Sequence, residues 1–145
     1  MSLVALTAAA LLASAQQPSP PIGQRTTAPQ QMLQGLAAGM SEEEAAIAAA
    51  QDRPLGTMEN PVRVGGPEGE QAYLARLRCG DGSAPRIGAP AAMGAGAFGS
   101  LVDGYALDCG SAAPGRVTLV MDKYHEEHRE DRAPAGFVIL PRSAE

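Results

Sequence analysis

Two histidines three residues apart stand in the densest polar stretch of the chain, Asp122-Lys-Tyr-His125-Glu-Glu-His128-Arg-Glu-Asp131. Zinc and related ions need imidazole nitrogens and carboxylate oxygens converging at roughly 2.0–2.2 Å. On a helical turn His125 and His128 share one face, with Asp122 a turn earlier. Asp122, His125 and His128 are therefore a candidate metal-binding set. The spacing departs from HExxH, whose histidines lie four apart with a glutamate between them as general base. The stretch also follows a strand-like run and opens as a loop. Its plainer reading is a hydrophilic surface turn.

Other reactive combinations are weaker. Ser100 with His125 would be a nucleophile and base, but Phe98-Gly-Ser100-Leu-Val102 is not the G-x-S-x-G elbow. No acid is placed by the sequence to orient either histidine, so no catalytic residue is assigned. Gly94, Gly96 and Gly99 match G-x-G-x-x-G. A dinucleotide site needs a strand before that motif and a helix after it. Here a Gly/Pro-rich loop precedes and a strand-like run follows, so the glycines read as a turn and no cofactor is expected. Asp103, Tyr105 and Asp122 lie in strand-like runs. They are either an inter-strand polar cluster or ordinary solvent-facing alternation.

The elements that must position these groups are short. Pro67 opens the clearest helix, with Glu68 and Glu70 in its first turn and Arg76 and Arg78 in its last, as the helix dipole favours. Tyr73, Leu74 and Leu77 give it one apolar stripe, and Cys79-Gly-Asp-Gly82 ends it. Val62-Arg-Val64 is a short strand candidate. Leu101–Cys109 alternates with Leu101, Tyr105, Leu107 and Cys109 on one face, and Val117–Tyr124 places Val117, Leu119 and Met121 likewise. These two runs predict an antiparallel hairpin. Phe137–Leu140 is a closing edge strand, and residues 80–97, rich in Gly, Ala and Pro, read as turns. The expected fold is α+β: one main helix packed on a small antiparallel β-sheet, compact over residues 54–145.

What precedes that domain has a different composition. Residues 1–15 carry no charged side chain, and the apolar run Leu3–Leu12 is too short to span a bilayer. Ala13-Ser-Ala15 has the small-x-small form of a signal cleavage site. The expectation is a signal peptide removed before Gln16. Residues 16–40 read as a Pro/Gln-rich disordered tether. Ser41 with Glu44 has capping-box spacing, so 41–52 reads as a marginal Ala-rich helix whose acids form a solvated face. Two cysteines, Cys79 and Cys109, are free thiols in a reducing compartment and one disulfide after export. The net charge of −5 comes without a basic stripe. Nucleic acid is therefore not an expected partner, and no later segment is apolar enough for a membrane span.

Several motifs occur together: Gly56-Thr-Met-Glu-Asn-Pro-Val-Arg63, Gly66-Pro-x-Gly-Glu70, Tyr73-Leu-x-Arg-Leu-x-Cys79-x-Asp-Gly82, Asp103-Gly-Tyr105 with Cys109, Met121-Asp-x-Tyr-His125 and Pro134-x-Gly-Phe137. In these the chain resembles a group of small exported bacterial proteins with no established activity. The resemblance implies export and a Cys79–Cys109 pairing, and it carries no site residues. The function expected is that of an exported, non-catalytic envelope or secreted protein with a binding or structural role, periplasmic or extracellular, meeting an envelope or extracellular partner through its sheet surface and residues 122–131. The alternative is a metal-binding protein or metal-dependent hydrolase using Asp122, His125 and His128.

Overall fold

The computed structural model describes residues 28–143. The expected signal peptide, 1–15, and the tether as far as residue 27 lie outside the described residues. Two units divide the chain, Met1–Gly35 and Leu36–Glu145. Of the first, only the opening of a helix is described; the second holds the sheet, the disulfide and the candidate functional site.

Helix α1 runs from Ala28 to Ala50, so helix replaces the tether expected up to residue 40. Pro29 falls in the first turn, where a missing N–H costs nothing, and most of the residues up to Ala50 are good helix formers. Ser41 consequently caps nothing. It lies mid-helix, and its hydroxyl donates to the Ala37 carbonyl four residues back at 3.2 Å.

Val62–Arg63 forms β1, and Gly66–Arg76 forms α2, with Pro67 in its first turn, Glu68 beside it and Arg76 in the last. The chain passes without a loop into β2, Leu77–Arg78. Strands β4, Leu101–Asp108, and β5, Arg116–Asp122, are the expected hairpin. The main sheet has the order β1-β5-β4-β3, where β3 is Arg86–Ala95, with β1 parallel to β5 and the other pairs antiparallel. Tyr73, Leu74 and Leu77 meet Val62, Tyr105, Leu107, Leu119 and Met121 in one buried cluster. The period-two faces read from the sequence are thus the ones that α2 covers. Leu101 is the exception and lies exposed at the strand end. The closing segment forms β6, Val138–Ile139, which pairs with β2 rather than with the main sheet. The architecture is α+β, a helix on a small, mostly antiparallel sheet.

Strand β3, Arg86–Ala95, falls where turns were expected, and β2 takes Leu77 and Arg78 out of the expected last turn of the helix, which ends at Arg76. Strand β3 borders β4, all ten of its residues are exposed, and its ladder is broken between Ile87 and Pro90 and again between Ala92 and Gly94. Small side chains with nothing to bury leave no hydrophobic period to read. The backbone groups of β4 nonetheless require a partner on that side. The turn from β3 to β4 contains Gly96 and Gly99, closed by Gly99 N–H donating to Gly96 O at 3.1 Å. Cys79 and Cys109 are joined by a disulfide with their Cα atoms 5.7 Å apart, pinning the end of β2 to the end of β4.

Candidate functional site

Asp122 ends β5. Met121 points into the core, so Asp122 points to the opposite face by the pleat, yet it is fully buried. The chain beyond it crosses the end of β1. Val64 N–H donates to Asp122 O, Gly66 N–H to Lys123 O, and His125 N–H to Val64 O. Gly65 permits this crossing, because a Cβ there would lie 2.9 Å from the Glu126 Cα. The crossing delivers the His125 imidazole to Asp122, with Nε2 3.2 Å from Oδ2. On the other side of the ring, Nδ1 is 3.2 Å from Glu43 Oε1 of α1. Ser100 Oγ, at the start of β4, donates to the same Asp122 Oδ2, and Tyr124 N–H donates to Oδ1. The Phe98 ring stands edge-on to His125 at 5.5 Å, and the Arg63 guanidinium lies 5.8 Å from the Phe98 centroid. Burial pushes the Asp122 carboxyl up, but the His125 ring, Ser100 and the Tyr124 amide outweigh it and hold the group below its ordinary value.

A second cluster surrounds Glu130, which is 3% exposed. Its Oε1 accepts from the backbone amides of Asp131 and Arg132 and from Arg132 Nε; its Oε2 accepts from Arg132 Nη2. His128 Nε2 is 3.4 Å from Oε2. Burial pushes this carboxyl up as well, and the Arg132 side chain and amide more than reverse it, holding it at about 2. Burial presses His128 and Arg63 below their ordinary values. Glu130 is the strongest of the charges pulling Arg63 the other way. Asp131 receives Arg76 at 2.7 Å and Arg142 at 3.0 Å, which fastens the C-terminal segment to α2.

The candidate metal set is therefore divided. Asp122 and His125 come together, whereas His128, joined to His125 by a backbone turn bond of 3.0 Å, directs its ring to Glu130. Among the described residues, no group of three or more His, Cys, Asp or Glu side chains is arranged around a metal position. Ser100 and His125 do meet through an acid, but both contact Asp122, and the two imidazole nitrogens each face a carboxylate. The ring so held links the segment after β5 to Asp122 on one side and to α1 on the other. Asp103 and Tyr105 do not join Asp122. Asp103 pairs with Lys123 at 2.6 Å, and Tyr105 donates to Glu70 at 2.9 Å. Glu70 is itself buried, its Oε1 has no partner, and burial raises its carboxyl.

Glu43, Arg63, Glu70 and Glu130 were missed by sequence reasoning. By sequence Glu43 has the setting of a solvated helix acid and Glu70 that of a first-turn charge. Nothing local marks Glu130 as internal; its partners are supplied by the fold. Alongside residues 122–131 a cleft of about 490 Å³ lies between the first turns of α2 and Glu126, His128, Arg129 and Arg142. That volume is within the range of small-molecule sites. The chain matches no protein-family model, no curated protein and no solved structure.

Proposed function

We propose that this chain is an exported, non-catalytic binding protein of the periplasm or extracellular space. The observation that carries the reading is the Cys79–Cys109 disulfide, a bond that persists in oxidising compartments and is rare in reducing ones. Three features agree with it: the signal-like residues 1–15, the shared motifs of small exported bacterial proteins, and the absence of any membrane-spanning helix among the described residues. The cleft beside α2, lined by Glu68 and Glu126 as well as Arg129 and Arg142, offers a surface for a polar partner group. The position of the His125 ring between the Glu43 and Asp122 carboxylates, 3.2 Å from each, favours a holding role over a reacting one. The rival reading, metal-dependent hydrolysis by Asp122, His125 and His128, is supported only by the Asp122–His125 juxtaposition.

The test is fractionation of bacterial cells expressing the chain with its own N-terminus. Protein recovered from the periplasm or medium, beginning at Gln16 and without free thiol, is the expected result. Uncleaved cytoplasmic protein with two titratable thiols refutes the assignment. Multiple turnover of an ester or phosphoester, abolished by His125→Ala, would instead favour the hydrolase.

A further inference from the structure

We infer that helix α1 pairs with the α1 helix of a second copy of this chain, the two running antiparallel and crossing at Leu36. This goes beyond the binding role proposed above and does not depend on export.

The argument starts from one face of one helix. Met32, Leu36 and Met40 fall at i, i+4 and i+8 of α1, with Leu33 at the rim of their stripe and Gln34 and Ser41 on the far side. At 3.6 residues per turn the stripe continues through Glu43, Ala46, Ile47 and Ala50. Those later residues are half-buried or buried, and Glu43 meets His125. The earlier part of the same face is open: Met32, Leu33, Leu36 and Met40 are each 58–69% exposed. A helix with one apolar stripe needs that stripe covered, and the chain covers only its second half.

Three observations select a second copy as the cover. Gly35 and Gly39 lie along the open stripe, four residues apart. Glycine weakens a helix relative to alanine, and a Cβ at either position would meet nothing within 4 Å among the described residues. The single chain makes no use of their smallness, whereas a second helix does, because small residues at this spacing let two backbones approach closely. Area is the next observation. The four apolar side chains expose roughly 500 Å² per chain, at the upper end of what a monomer usually shows. Two such faces together remove about 1,000 Å², the lower bound of a specific interface, so the pairing is weak and depends on concentration. Charge sets the direction. Residues 28–41 carry no charged side chain, so two copies meet there without repulsion. With Leu36 against its own counterpart in the second copy, Glu42 and Glu44 of each chain come beside the first turn of the other helix. The unpaired N–H groups of that turn carry partial positive charge. A parallel pair would set the acids of the two copies side by side instead. The antiparallel contact is isologous and closes as a dimer.

The experiment is sedimentation equilibrium of the purified full chain up to about 500 µM, every variant carrying the same N-terminus. Expected is a reversible monomer–dimer equilibrium with a Kd of roughly 10–100 µM. Leu36→Glu should weaken it at least about tenfold. Leu101→Glu, which replaces an equally exposed leucine on β4, should leave it unchanged. Gly39→Leu should weaken it although leucine is the better helix former. Cys79 and Cys109 are already joined, so a single added thiol reports contact: Leu36→Cys should oxidise to a covalent dimer and Gln34→Cys, on the far side, should not. No dimer at the highest concentration, equal weakening by Leu101→Glu, or equal cross-linking of the two cysteine variants overturns the proposal. So does a chain that stays monomeric and binds phosphatidylglycerol vesicles unless Leu36→Glu is present, which would give the face to a lipid surface.

Discussion

Replacing Glu130 with glutamine tests whether the ion pair inside the 122–131 segment holds the domain together. The carboxylate is 3% exposed, accepts from two backbone amides and two Arg132 nitrogens, and is held at about 2 against an ordinary value of 4.5. A carboxyl lowered on folding stabilises the native state above its unfolded pKa and ceases to do so as pH falls through its folded value. A carboxyl held that far below its ordinary value contributes about 3 kcal/mol at pH 7. By the same relation about 1 kcal/mol remains at pH 2.5. Glutamine keeps the shape but turns an NH2 toward Arg132, so nothing replaces the lost charge. Urea unfolding of both proteins at the two pH values gives the difference directly, and effects of the other acids cancel in it. The expected penalty for Glu130→Gln is about 3 kcal/mol at pH 7, falling to about 1 at pH 2.5. A penalty that is absent at pH 7, or one that does not change with pH, would refute the reasoning.

Three further perturbations separate the other contributions. Glu70 behaves oppositely to Glu130, because burial raises its carboxyl. Its folded-state advantage is present at low pH and lost as pH climbs from the unfolded value through the raised one. Glu70→Gln should therefore stabilise the protein at pH 7 and leave it unchanged near pH 4; a loss of stability at pH 7 would mean that the buried carboxylate is charged and well paired. Removing the disulfide by Cys79→Ser with Cys109→Ser opens a loop of 30 residues and should cost about 3–4 kcal/mol by chain entropy, read from the urea midpoint. Gly65→Ala should cost about 1–3 kcal/mol, since its Cβ meets the Glu126 backbone, whereas Gly104→Ala meets side chains alone, Met93 and at 3.3 Å the Thr118 methyl, and should cost less. Equal thermal stability of the two alanine variants would contradict that reading.

The parts of the fold legible in the sequence are those where a hydrophobic period coincides with a buried face. Tyr73 and Leu74 identified α2, and the alternations ending in Leu107 and Met121 identified β4 and β5, because burial on one side fixes the pattern. Strand β3 was illegible because pairing with β4 holds it in place without burying a side chain. The start of α1 was misplaced because serine and three acids imitate a cap, while the residues before them are equally competent helix formers. Within the site, Asp122 and His125 were recognisable by type and spacing. Their separation from His128 was not, because a backbone turn joins the two histidines while Glu130, placed by the tertiary fold, takes the second ring. Glu43 could not be found locally, since 82 residues lie between Glu43 and the His125 that it meets, counting to the later residue.

The outer strand β3 has a colloidal consequence. A sheet that ends in ten exposed residues offers its free backbone groups to any extended chain that drifts alongside, including an unfolded copy of itself. Here Pro90 brings no N–H to that border, and two breaks in register disturb the regular spacing that an incoming strand would have to match. The border therefore makes a poor seed for strand-by-strand growth.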